Sequence, residues 1–219
     1  MNYVKPIKHK LTLVVNTLFF PFTFPEIFDA LKEREYKISS LPGPIPAGQR
    51  SYLEGHIGMK NNCLVEINDT RKIIGTEGVV IEDVIKTMEE IIEMSVNDFK
   101  LKENEMDYLE LISNLHVKTD KSPIKTIGNF GESYRVFDNV FNLETAPYSI
   151  KIVPKNVNPS SKNWFDILVE PRLTKPEREY FVHIIYRNTD FNNVLTFARN
   201  INTTISSVIE IIGDQLDAN

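Results

Sequence analysis

Cys63-Leu-Val-Glu-Ile-Asn-Asp-Thr-Arg-Lys-Ile-Ile-Gly-Thr76, followed by Val79-Val-Ile-Glu-Asp-Val-Ile-Lys-Thr-Met-Glu-Glu-Ile-Ile92, decides the fold. Cys63–Ile67 and Lys72–Ile74 are short runs rich in β-branched residues, separated by the turn-like Asn68-Asp69. Beyond them the hydrophobic period lengthens. Val80, Ile81, Val84, Ile85, Met88, Ile91 and Ile92 fall on one helical stripe, with Glu82, Glu89, Glu90 and Glu93 on the other side. A helix with one apolar stripe must lie on something flat and apolar, and the preceding strands supply it.

The same order recurs along the chain. A second long stripe runs from Phe191 through Val194, Leu195, Ala198, Ile201, Ile205, Val208, Ile209, Ile212 and Leu216, with Thr189 or Asp190 as its N-cap. Strands are expected at Leu11–Phe20, Arg50–Met59, Tyr108–Lys118, Tyr148–Val153, Trp164–Glu170 and Tyr180–Arg187, and short helices at Pro25–Arg34 and near Glu132–Val140. Tyr36-Lys-Ile-Ser-Ser-Leu-Pro42 and Tyr148-Ser-Ile-Lys-Ile-Val-Pro154 share a Tyr-x-Ile-x-x-aliphatic-Pro pattern, each after a Phe-Asp pair. Order and pattern together point to a diverged duplication. The expected fold is α+β: an antiparallel sheet from two β-α-β(n)-α repeats, residues 1–105 and 106–219, with the hinge in Asp98–Asp107. The long helices 79–96 and 190–213 would pack on one face.

This order resembles that of the TATA-binding protein family, whose tandem repeat runs strand, helix, antiparallel strands and then a long helix behind the sheet. The residue-level similarity lies in Cys63–Thr76 and the helix from Val79. The resemblance implies a saddle-shaped sheet of the kind that wedges phenylalanines into the minor groove. At one such position this chain has Glu66, a carboxylate that repels phosphate. Phe165 and Phe181 in the second half both fit core positions.

Composition narrows the function classes. The 219 residues carry a formal net charge of −5, divided as −3 over residues 1–105 and −2 over 106–219, which disfavours a phosphate-binding surface. The single cysteine, Cys63, excludes an internal disulfide and any multi-cysteine zinc site. No apolar run reaches membrane-span length. Lys5, Lys8 and Lys10 before the run Leu11–Phe20 resemble a secretory leader, but Asn16, Thr17 and Pro21 interrupt it, and a strand in a cytoplasmic protein is expected instead.

His56, His116 and His183 lie on three different strands, and none is at local metal-ligand spacing from another. Cys63 opens an apolar strand, the setting of an inert thiol. Glu82-Asp83 and Glu89-Glu90 sit on a solvated helix face, and Gly128–Ser133 lacks the ending of a phosphate loop. No catalytic residue, metal or cofactor is therefore assigned. What remains is the uncommitted sheet face, carrying Tyr52, Glu54, His56, Glu66, Trp164, Asp166 and Glu170, with His183 and Arg187. Aromatic groups among mixed charges suit a protein or small ligand. A non-catalytic binding or adaptor module is the first expectation, a nucleic-acid binder the second and a metal-dependent enzyme the third. Unprotected edges and the open face favour a homodimer, with Glu54, His56 and Trp164 as contributors. Light scattering should then report a dimer that Trp164→Ala weakens, and a monomer at high micromolar concentration would refute it.

Overall fold

A computed structural model describes residues 2–39, 54–130 and 132–214. In chain order the elements are β1 (Tyr3–Val15), α1 (Glu26–Glu33), β2 (Lys37–Ile38), β3 (Glu54–Lys60), β4 (Cys63–Asn68), β5 (Ile73–Gly78) and α2 (Ile81–Asn97). There follow β6 (Met106–Lys118), α3 (Pro123–Gly128), α4 (Asp138–Phe141), β7 (Ile150–Ile152), β8 (Trp164–Pro171), β9 (Glu179–Asn188), α5 (Phe191–Arg199) and α6 (Ile201–Asp214). The protein is α+β. Its nine strands form one sheet in the order β2-β3-β4-β5-β1-β6-β9-β8-β7, and every neighbouring pair is antiparallel.

The centre of the sheet is the pairing of β1 with β6, in which Leu11 faces Leu111 and Leu13 faces Leu109. β1 starts earlier and stops sooner than the apolar run Leu11–Phe20 suggests. Its lysines alternate with His9, Leu11, Leu13 and Val15, so the strand can be charged on one face and buried on the other. Past its end Leu18 and Phe19 are exposed. In β3 a register shift between His56 and Gly58 breaks the alternation expected there. Ile57 is consequently buried while Met59 is exposed, although sequence parity placed them together. Residues 40–53, which include Tyr52 and Leu53, lie outside the described residues, as does Leu216.

One face of the sheet carries the core. α2 buries Ile81, Val84, Ile85, Met88, Ile91 and Met94 against it. Val80 belongs to the extended N-cap and stays half exposed, so the helical stripe begins one residue later than the sequence suggests. The helix expected over 190–213 is two helices, interrupted at Asn200. The Asn200 side-chain amide donates to the Thr196 carbonyl at 2.9 Å, a local bond of the kind that competes with helix propagation. The buried stripe nevertheless continues through Val194, Leu195, Ala198, Ile201, Ile205 and Ile209. Asp190 caps α5 by accepting from the Asn192 amide at 3.0 Å. α3 adds Pro123, Thr126 and Ile127 to the buried set, and α1 adds Ile27, Phe28 and Leu31.

Two polar side chains lie within this core at the central seam. His9 Nδ1 and Ser113 Oγ are 2.8 Å apart across β1 and β6, and both residues are buried. Burial pushes the His9 imidazole down to about 4, with Glu82 opposing the shift.

Two outcomes follow from this packing. Replacing Ile85 by Asp puts an unpaired carboxylate under α2 and should cost about 4 kcal/mol or more, read as loss of the cooperative melt. The unfolded chain protonates His9 at the ordinary histidine value of 6.5 and the folded chain only at about 4, so its contribution is complete above the unfolded value. As pH falls through that window the contribution disappears, by about 2 kcal/mol between pH 7 and 5. His9→Gln should flatten that part of the denaturation-versus-pH curve, and an equally steep curve would contradict the assignment.

Candidate binding face

Strand parity fixes what the opposite face displays. One row of directly facing residues crosses the sheet as His56, Glu66, Gly75, Thr12, Glu110, Arg187 and Trp164. The next reads Met59, Leu64, Glu77, Lys10, Ile112, Ile185 and Asp166. His183 faces Asn114 on one side and Leu168 on the other, and Glu170 faces Phe181. Glu54, His56, Glu66, Trp164, Asp166, Glu170, His183 and Arg187 thus share one face. Gly75 fits this crossing because an added Cβ would sit 2.8 Å from the Leu11 carbonyl oxygen.

Availability differs sharply along the face. Glu54 and His56 are exposed, whereas Trp164 and Asp166 are each only 9% exposed. The Arg187 guanidinium accounts for this end of the sheet. It donates to the Ser161 carbonyl at 2.7 Å and also to the Pro159 carbonyl, drawing the segment after β7 over the sheet. Lys162 holds the same segment to Asp107 at 2.5 Å. Trp164 is therefore roofed, and little of its ring is left for the dimer contact expected of it. Asp166 is engaged by Lys151 at 2.6 Å.

The exposed centre of the face is more apolar than the alternating pattern suggests. Ile112 and Ile185 face each other, with Leu168 and Phe181 nearby, and all four are half-buried without a covering helix among the described residues. Phe181 packs edge-on near His116, with ring centroids 6.2 Å apart. Phe165 takes the other side and stacks on Tyr186, which stacks in turn on Phe197 of α5 at 4.3 Å. Of the two phenylalanines expected in the core, only Phe165 faces it. Sequence missed this centre because Phe181–Tyr186 is apolar at both parities. That composition is itself the signal of a strand covered on both faces.

Around the apolar centre the charges are paired. Lys8 meets Glu77 at 2.6 Å, Lys10 meets Glu66 at 2.5 Å, and Arg187 meets Glu110 at 3.6 Å. Burial pushes the Glu110 carboxyl upward, with Arg187 opposing it. His183 Nδ1 lies 2.7 Å from Asn114 Oδ1.

The candidate nucleophiles sit elsewhere. Cys63 is buried on the core side, and burial pushes its thiol up, which makes it inert. Ser113 touches His9, but at 0% and 1% exposure neither reaches a substrate. His56, His116 and His183 do not converge, since four strand spacings, roughly 19 Å, separate His56 from His116. His56 instead gathers two carboxylates, Glu66 and Glu77. No helix of the described residues is long and apolar enough to cross a membrane. Compared with family models, curated proteins and solved structures, the chain finds no match.

Trp164 is the only tryptophan, so its emission reports the roof directly. Arg187→Ala should release the Ser161 and Pro159 carbonyls, shift that emission to the red and cost about 1–3 kcal/mol of stability. Unchanged emission would show that the segment is held without Arg187.

Proposed function

We propose that this protein is a non-catalytic binding or adaptor module whose helix-free sheet face holds a protein partner, the simplest partner being a second copy of the chain. The observation that carries this reading is the half-buried centre of Ile112, Leu168, Phe181 and Ile185, rimmed by paired charges. An apolar centre with a polar rim is the anatomy of a protein interface. A strand apolar on both faces gains most when its second face also leaves water. Nucleic acid is the weaker reading. Lys8, Lys10 and Arg187 already meet carboxylates, which leaves little charge for phosphate.

The resemblance to the TATA-binding protein family belongs to the same proposal. Each half of the chain runs strand, short helical segment, further strands and long helices, and the two leading strands β1 and β6 adjoin at the centre. A duplicated plan would place them so, and this arrangement supports the reading. The DNA function is not carried with it, because Glu66 is paired with Lys10 at the position where a wedging phenylalanine would stand.

A photo-crosslinking residue at position 168 tests the reading, with one at position 93 on α2 as the control. The expected result is a protein adduct from position 168 alone, lost when Ile185→Asp places a charge in the apolar centre. No adduct, or the same adducts from both positions, would overturn it.

A further inference from the structure

We propose that His56, Glu66 and Glu77 form a binding site for a first-row divalent metal ion of the zinc type, at the first-half end of the uncovered sheet face. One ligand atom from each residue lies within 4.8 Å of those of the other two. Donor atoms around a tetrahedral zinc are about 3.5 Å apart, so small side-chain rotations close the site. The ligands come from three successive strands of one sheet. His56 on β3 directly faces Glu66 on β4, and Glu77 stands on β5, the next strand across. A backbone fixed by two ladders of hydrogen bonds holds them before any ion arrives. The register shift just after His56, together with Gly55 at φ 110°, sets the imidazole off the regular pleat.

The lysines beside the site define its character. Lys10 Nζ contacts Glu66 Oε2 at 2.5 Å, and Lys8 Nζ contacts Glu77 Oε2 at 2.6 Å. Each carboxylate keeps its second oxygen for an ion, while the ammonium orients the group as outer-shell donors do in metal sites. The two positive charges also oppose the ion, which weakens the site. One imidazole and two carboxylates suit zinc, cobalt or manganese. Calcium needs more oxygen donors, and magnesium demands near-ideal octahedral geometry. His56 is exposed, so water or a partner's side chain can complete the coordination. The site does not depend on the protein-partner reading, and its test involves no partner.

Titration of the metal-free full chain with Zn2+ by calorimetry, and with Co2+ by visible absorption, is the direct test. One saturable ion per chain is expected, with a Co2+ spectrum of low coordination number. His56→Ala and Glu66→Gln should each weaken binding by more than about tenfold without lowering the melting temperature. His183→Ala, on the same face but outside the cluster, should leave it unchanged. Absence of saturable binding at millimolar ion would overturn the proposal. So would equal losses from His56→Ala and His183→Ala, the mark of an adventitious ion only.

Discussion

Everything in this molecule hangs on the antiparallel seam between β1 and β6, thirteen residues each and about a hundred apart in sequence. That pairing turns two groups of strands into one sheet, and the core lies along it. Leu11, Leu13, Leu109, Leu111 and Leu115 are all fully buried beside it. Closing so long a loop is costly in entropy, and the cost is recovered only when α2, α5 and α6 settle on the joined surface. The same seam holds the core's buried His9–Ser113 contact. A histidine kept neutral at the centre of the sheet makes the joint the most acid-sensitive place in the core.

The seam also fixes which face of the sheet stays uncovered. All strands are paired in one surface, and α1, α2, α3, α5 and α6 send their buried side chains to the same side of it. The other side carries no covering helix among the described residues. There the two ends of the sheet differ. Beyond β1 toward β3, His56 stands beside two glutamates, with Met59 and Leu64 in the next row of the same face. From β6 to β8 it has an apolar centre, and its far end is closed by Arg187 and the segment it binds. A partner that covers the apolar centre and an ion held by His56 and its glutamates would occupy separate parts of one surface.

Much of this was readable from the chain. Period-two and period-3.6 patterns located α2 and most strands because those elements are wet on one side only, as with Glu82 and Glu89 of α2. The residues expected on the open face do share it, from Glu54 to Arg187, since parity survives wherever no bulge intervenes. Illegible features were the ones set by distant partners. The roof over Trp164 depends on Arg187 reaching the Pro159 and Ser161 carbonyls. The break at Asn200 depends on a side chain competing with the backbone. Phe181 and Ile185 were hidden because their strand is apolar on both sides. Glu77 is not legible as a partner of His56 because an intervening strand and a register shift separate them.

The sheet face opposite the helices is free in the isolated chain. Carbene footprinting, resolved by residue and run at a dilution where light scattering reports a single chain, measures this directly. Ile112, Leu168 and Ile185 should be labelled while their strand neighbours Leu111, Val169 and Ile184 stay protected. Equal protection of both sets would mean that the face is already filled, and the account would be wrong.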